Sequence, residues 1–261
     1  MQAIQLSHEE FLLLLGVLRL PMPLALGEDP TVGYDQRSLG IALASAMSSL
    51  MARDLIQGDD PTTDPVPVPG VRELLATSAL ADRCLMVAAR QGEQHSATHY
   101  SLRDGRTVVH TSPRAGVHRI TWVEASEPLA AHVLTAIVPH VPTATPLRFT
   151  LNADAFGLAL DAIGAGQLQS ALGILKTAGV AADLADSFVS RAGPTPTRYA
   201  IVCLRQLQSP QPLAESAIVV QGANETWYAT EPANTPGQIL IETVAPEALR
   251  THLDVLIQSL A

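Results

Sequence analysis

Four histidines are the first residues whose type and spacing could support chemistry. His95, His99, His110 and His118 fall in a stretch of short, strand-like segments. Imidazole is a common transition-metal ligand, so histidines on neighbouring strands could form a metal site. His95 and His99 are four residues apart, but on a hairpin this spacing does not place them on one face of a helical turn. We therefore predict exposed hairpin histidines and no metal.

Other chemical signatures are equally weak. Asp59, Asp60 and Asp64 supply carboxylates of the kind that Ca²⁺ prefers, but the spacing and glycine of an EF-hand are absent, which favours a solvated loop. The sequence has no GxGxxG, GxxxxGK[ST], HExxH or GxSxG motif. Ser45, Ser48 and Ser49 fall on a predicted helix and have no partnered histidine and aspartate nearby in the sequence. We predict no catalytic residues and no cofactor, so the chain is not expected to be an enzyme.

Composition narrows the class of partner. The chain has 261 residues, a formal net charge of −9 and 16 scattered Lys and Arg residues, which argues against nucleic acid and anionic membrane as partners. No apolar stretch reaches the roughly 18 residues of a membrane span. The apolar run Phe11–Leu15 follows Glu9 and Glu10 instead of a basic region, so we expect no signal peptide and a cytoplasmic location. Cys84 and Cys203 lie in apolar runs and are expected to be buried thiols, with a disulfide left open.

Periodicity and turn residues predict the elements that would position any site. Ser7 with Glu9 and Glu10 is typical of a helix start, and Asp104-Gly105 is a hairpin turn signal. The proline-rich segment 58–70 predicts an exposed loop or extended chain. Helices are predicted from Ser7 to near Pro21 and over 39–57, 71–80 and 127–138, and strands over 85–89, 99–102, 107–111 and 118–124.

The second half of the chain repeats this order. Four pairs of segments match in sequence, namely LSHEEF with LNADAF, VAARQ with VCLRQ, TVVHTSP with TWYATEP, and ITWVEASEPL with ILIETVAPEAL. We predict two diverged α+β repeats over residues 1–140 and 147–261, which together form one compact domain. Helices followed by hairpin-linked strands, without βαβ alternation, predict an α+β fold in which two pseudo-symmetric copies form a central antiparallel sheet with helices packed on it.

These segments resemble a known family. The opening LSHEEFLLLL, the helix LASAMSSLMARDLI before VRELLA, and the strand–helix endings EASEPLAAHVL and ETVAPEALRTHLDVLI resemble the EspG family of cytosolic chaperones of ESX (type VII) secretion. The resemblance is one of element order and apolar pattern over most of the chain. It implies an EspG-like fold and a chaperone or adaptor that binds a helical secreted protein, either a PE–PPE-like or a WXG-type heterodimer. The hairpin is short, which leaves the choice between these partners open.

The resemblance also implies where the partner binds. The matching segments are the hairpin Arg90–His99 and the helical region Asn152–Ser190, which is apolar, weakly charged and rich in glycine. The expected contact residues are Gln91, Gln94, His95, His99, Leu168, Leu172 and Leu175. Two other classes remain open from the sequence. One is a winged-helix-like regulator, and the other is a small-molecule-binding or enzymatic protein with a pocket between the halves. The sequence leaves the oligomeric state open.

Overall fold

A computed structural model describes residues 3–23, 33–58, 65–124, 128–137, 139–142, 145–207, 209, 211–232 and 234–258. In this part of the chain each half contains a strand, three helices, four long strands and a final helix; the first half adds a two-stranded ribbon. The first half consists of β1 (Ala3–Ser7), α1 (His8–Leu18), α2 (Gln36–Ala52), β2 (Ile56–Gln57), β3 (Val66–Pro67), α3 (Pro69–Ala79), β4 (Arg83–Gln91), β5 (Gln94–Arg103), β6 (Arg106–Arg114), β7 (Val117–Trp122) and α4 (Leu129–Ala136). The second consists of β8 (Arg148–Asn152), α5 (Ala153–Gly164), α6 (Leu168–Thr177), α7 (Ala182–Ala192), β9 (Thr197–Arg205), β10 (Leu213–Gln221), β11 (Thr226–Thr230), β12 (Gln238–Thr243) and α8 (Pro246–Gln258).

The strand order confirms the predicted fold class. The large sheet has the order β1-β7-β6-β5-β4-β9-β10-β11-β12-β8. Counted outwards from β4 and from β9, the strands of the two repeats follow the same order. VAARQ and VCLRQ fall on β4 and β9, TVVHT and TWYAT on β6 and β11, and the third matched pair on β7 and β12. The pairs β1–β7, β6–β7, β11–β12 and β12–β8 are antiparallel. The protein is therefore an α+β protein built around a large antiparallel sheet.

The sequence explains how each repeat begins. In α1 the Ser7 side chain accepts from the amide of Glu10, and the Glu10 carboxylate accepts from the amide of Ser7, which forms a capping box. In α5 the Asn152 side chain accepts from the amides of Asp154 and Ala155. Each capping residue is also the last residue of a five-residue strand, although the sequence analysis placed only a helix start there. Both strands alternate exposed and buried residues, which is the pattern of a half-buried strand.

Several predicted boundaries were wrong. The second helix begins at Gln36 and ends at Ala52, before the predicted end at Gln57. Arg53 and Asp54 follow it, and Asp54 has a left-handed φ of 54°, which ends the helix before the β2 strand. The long strands β4 to β7 extend beyond their apolar centres, because cross-strand pairing continues through polar residues at their ends. The turn at Asp104-Gly105 is confirmed, with positive φ at both residues.

By its internal contacts the chain forms two compact units. Unit 1 comprises Met1–Cys84, Ala97–Ser126 and Arg205–Pro212, and unit 2 comprises Leu85–Ser96, Glu127–Leu204 and Leu213–Ala261. The core of unit 1 packs α1, α2 and α3 on β1, β6 and β7 and includes Phe11, Leu50 and Leu74. The core of unit 2 packs α5, α6 and α7 on β8, β10, β11 and β12 around Phe188 and Trp227, whose rings meet edge to face at 5.1 Å.

Candidate partner-binding surface

The β4–β5 hairpin ends in a short exposed turn. Gly92 and Glu93 form the turn, and Gly92 takes a φ of 59° that glycine accepts without strain. Gln91, Gln94 and His95, three of the predicted contact residues, are exposed on either side of it. We call the segment 91–95 the hairpin tip. It presents amides, a carboxylate and an imidazole to solvent, all of which can form hydrogen bonds at the rim of an interface.

His99, another predicted contact residue, lies further along β5 and is half-buried. Its burial lowers the pKa of the imidazole, which favours the neutral ring. His99 is the cross-strand neighbour of His110 on β6. The structure therefore places His99 outside the hairpin tip, on β5 beside His110.

The predicted leucines of α6 face inward to different extents. Leu175 is completely buried in the core of unit 2. Leu168 and Leu172 are half-buried and pack against that core. Leu175 therefore stabilises α6 from within the core, and we do not assign its side chain to the partner surface.

An ion-pair cluster joins the hairpin to the helices within unit 2. Arg90, next to the hairpin tip, donates to the Asp161 carboxylate of α5 at 3.1 Å, and Arg198 of β9 lies 3.3 Å from the same oxygen. Such partly exposed pairs contribute little free energy, about 0–1 kcal/mol, but they define which surfaces lie side by side. The two segments implied by the family resemblance are thus neighbours in the structure.

A groove lies between α5 and α6 of unit 2, and apolar atoms form most of its surface. It has a cavity volume of about 660 Å³. We call it the α5–α6 groove; it is lined by Asn152, Ala155, Leu158, Ser170, Gly173, Ile174, Thr177 and Ala178. None of these residues is charged, and the Leu158 side chain is 59% exposed. The groove and the exposed leucine together leave apolar area open to solvent.

The groove and the hairpin tip form one continuous surface along α5. Leu158 and Asp161 are three residues apart and both exposed, so they are neighbours on one side of the helix. Asp161 in turn binds Arg90 beside the hairpin tip. Sequence reasoning included the whole region Asn152–Ser190 but named contact leucines only in the part that forms α6, so it did not single out Leu158. The helical period would have identified it: Phe156 and Ala159 share the buried face of α5, and Leu158 lies off that face.

The histidine prediction needs a correction. His110 and His118 are not exposed hairpin residues; they are buried on β6 and β7, where they form a hydrogen-bonded chain with His8 of α1. The sequence contained a signal for this burial, since His110 and His118 each lie two residues from a buried residue, Val108 or Ile120, and therefore on the same face of the strand. Among the described residues no group of three or more His, Cys, Asp or Glu side chains is arranged to hold a metal ion. Asp59, Asp60 and Asp64 lie outside the described residues.

Three further features bear on the sequence predictions. Cys84 and Cys203 are both buried and form no disulfide. Within the described ranges, no helix combines the length and apolarity needed to cross a membrane. The ten-stranded sheet is also not a winged-helix arrangement, so the fold gives no support to that alternative.

The fold and this surface define an α+β protein with a duplicated helix–sheet unit. One solved structure to which the chain is similar is the Mycobacterium tuberculosis type VII secretion system chaperone EspG5 in complex with the PE25–PPE41 dimer, with a TM-score of 0.72. The match covers 99% of this chain and 97% of that chain at 12% sequence identity, and at this identity it shows a shared fold. No protein-family model and no curated protein sequence matches the chain.

Proposed function

We propose that this protein is a cytoplasmic, non-enzymatic chaperone for helical substrates of a type VII (ESX-like) secretion system. Its partner would be a PE–PPE-like or WXG-type heterodimer. The observation that carries this proposal is the uncharged α5–α6 groove beside an exposed hairpin tip, on a fold shared with a chaperone solved in complex with a PE–PPE dimer.

The chemistry of the surface suits a helix. A groove between two helices accepts the apolar side of a third helix, whose residues at i, i+3, i+4 and i+7 would contact Leu158 and Ile174. Gly173 keeps the groove open, since a side chain placed there would meet no atom within 4 Å. The polar hairpin tip would then form hydrogen bonds at the rim, the usual composition of a standard-sized interface.

The surface also explains how binding would keep a partner soluble. A helical heterodimer that exposes an apolar stripe aggregates unless the stripe is covered. The α5–α6 groove offers uncharged area for that stripe, whereas the chain as a whole carries a net charge of −9 that keeps the complex in solution.

The test is copurification with candidate partners. The chain would be coexpressed with each PE–PPE-type and WXG-type heterodimer encoded in the same genome, and stable complexes would be isolated by size exclusion. Leu158→Glu and Ser170→Glu place a carboxylate in the α5–α6 groove. Because Leu158 is exposed and Ser170 lies in the first turn of α6, where an acidic residue is favourable, both variants should remain folded.

We expect both variants to lose partner binding by about a hundredfold or more, since a desolvated charge costs several kcal/mol. The matched control is Val255→Glu on α8, whose side chain is 64% exposed and lies outside the groove. It should bind like the unaltered chain. The proposal is wrong if no heterodimer copurifies, or if both groove variants fold and retain full binding.

A further inference from the structure

Three histidines form a continuous hydrogen-bonded chain inside unit 1. His8 Nδ1 lies 3.0 Å from His118 Nε2, and His118 Nδ1 lies 2.9 Å from His110 Nε2. The three residues belong to α1, β7 and β6, and their relative exposures are 4%, 5% and 1%. We call this arrangement the histidine chain. It joins the first residue of α1, and through it the end of β1, to two strands of the sheet.

The chain sits in an apolar environment. The Phe11 ring stacks on His118 at 5.1 Å and meets His110 edge to face at 5.4 Å. Nδ1 of His110 is buried and has no hydrogen-bond partner among the described residues. An additional positive charge here would lose its hydration, which is costly in such a site.

Few charged groups face the chain. Glu9 of α1 is the acidic residue that acts on His118, and His99 of β5 is the basic one that acts on His110. Glu10 of α1 is already bound by Arg53 and Ser49. Of the remaining charged residues of the packed elements, Arg103 on β5 is half-buried and the others are exposed, namely Arg37 on α2, Arg72 and Glu73 on α3, Arg106 and Arg114 on β6, and Arg119 on β7. Burial and the neighbouring imidazoles therefore have the largest effect on the protonation of His110 and His118.

Counting protons shows how many the chain can hold. Three neutral rings carry one N–H each, which is enough to place one hydrogen in each N···N contact. One added proton can reside on the central His118, which then donates to both neighbours. A second added proton gives five N–H groups on six nitrogens. The two nitrogens outside the contacts, His8 Nε2 and His110 Nδ1, hold at most two of these N–H groups. The other three N–H groups must lie in the two N···N contacts, so in one contact two N–H groups face each other.

We propose that the histidine chain is an acid-operated latch that fastens β1 and the start of α1 to β6 and β7 and opens when it takes up more than one proton. Opening would free the β1 edge of the sheet, because β1 pairs with β7 alone in the strand order. This device is independent of the partner-binding surface on unit 2.

The direction of the pKa shifts agrees with the geometry. Burial, followed by the neighbouring imidazoles, lowers the pKa of His110 to about 3, and burial and then His8 lower that of His118 to about 4. In an opened segment these rings return to the ordinary value near 6.5. The opened state thus binds more protons between about pH 6.5 and 4, so the latch is closed at and above pH 6.5 and weakens as the pH falls.

The test is amide hydrogen exchange on the full chain between pH 7 and 5, corrected for intrinsic exchange. We expect the opening constant of the β1 amides to rise roughly a hundredfold per pH unit below pH 6, the dependence for uptake of two protons. The amides of β11 in unit 2 serve as the internal reference and should change much less. Imidazole ¹⁵N signals should show neutral His110 and His118 at pH 6.

The variant His118→Gln removes the central ring. We expect the opening constant of the β1 amides in this variant to rise about tenfold or less per pH unit, instead of about a hundredfold. His95→Gln, at the exposed hairpin tip, is the matched control and should behave like the unaltered chain. Equal rises at β1 and β11, or β1 opening that does not depend on pH, overturn the proposal. That comparison within the unaltered chain decides the question even if His118→Gln does not fold.

Discussion

Two glycine-to-alanine substitutions in unit 2 should have opposite effects on stability. Gly222 lies in the turn between β10 and β11, where an added Cβ would sit 2.6 Å from the carbonyl oxygen of Arg191, 2.9 Å from the Trp227 ring and 3.0 Å from the Cα of Ala192. Two of these atoms belong to the backbone of α7, and Trp227 is completely buried. None can move without displacing the end of α7 or the core.

The expected magnitudes follow from these distances. Overpacking of a rigid site costs about 1–3 kcal/mol, and we place Gly222→Ala at the upper end because backbone atoms form most of the contact. Gly173 is the matched control. It lies inside α6, and an added Cβ meets no atom within 4 Å. Alanine there should raise the free energy of unfolding by about 0.5–1 kcal/mol, since glycine is a poor helix former.

Urea unfolding followed by circular dichroism would measure both changes. The two variants should differ by about 3–4 kcal/mol, with the unaltered chain between them. Similar m-values would show that the compared transitions expose the same surface. If Gly222→Ala unfolds within about 0.5 kcal/mol of the unaltered chain, or if Gly173→Ala is the less stable variant, the packing of the β10–β11 turn on α7 described above is wrong.

Three further predictions concern stability and reactivity. Glu225 is buried and lies 3.3 Å from Arg191, so Glu225→Ala should lower the free energy of unfolding by about 3 kcal/mol in urea titrations; a loss below about 1 kcal/mol would contradict a buried pair. Burial raises the pKa of the Cys84 thiol to about 12, so a thiol reagent at pH 8 should modify Cys84 only after unfolding, and rapid labelling of the native chain would refute this. As the pH falls from 7 to 5, the free energy of unfolding should decrease by about 2 kcal/mol for each of the two rings whose pKa is lowered, His110 and His118. An unfolding midpoint that does not depend on pH would show that these rings are not held neutral.

Apolar runs and turn chemistry predicted the central strands of the first half. The strands β4, β6 and β7 have apolar centres, and Asp104-Gly105 allows the left-handed turn that joins β5 to β6. Matched segments then indicated the duplication. The short strands β1 and β8 were missed because each ends in a helix-capping residue, Ser7 or Asn152, and the helix signal is stronger than that of a five-residue strand.

The candidate site was predictable only in part. The hairpin tip was chosen from the family resemblance and not from its own residues, and the structure leaves Gln91, Gln94 and His95 exposed. On α6, Leu168, Leu172, Ile174 and Leu175 occupy much of the helix circumference, so periodicity could not decide which of them face the core. The packing of the helix on α5 and α7 decides this, and such long-range contacts are not encoded in local spacing.

The same reasoning explains the histidine chain. His8, His110 and His118 are far apart in the sequence, and each alone resembles a polar residue near a turn. Antiparallel pairing of β1 with β7 and of β7 with β6 brings them together, since His118 faces Leu6 and His110 faces Ile120. A buried polar chain of this kind depends on the register of three strands.

The central claim is that a helical heterodimer binds across the hairpin tip and the α5–α6 groove. Amide hydrogen exchange of the purified chain, with and without the copurified heterodimer, tests it most directly. We expect slower exchange on complex formation in the segment 91–95 and in α5 and α6, with unchanged exchange in α8, where Val255 is exposed. Slower exchange confined to α8 or to unit 1, with the hairpin tip and α5–α6 groove unaffected, would contradict it.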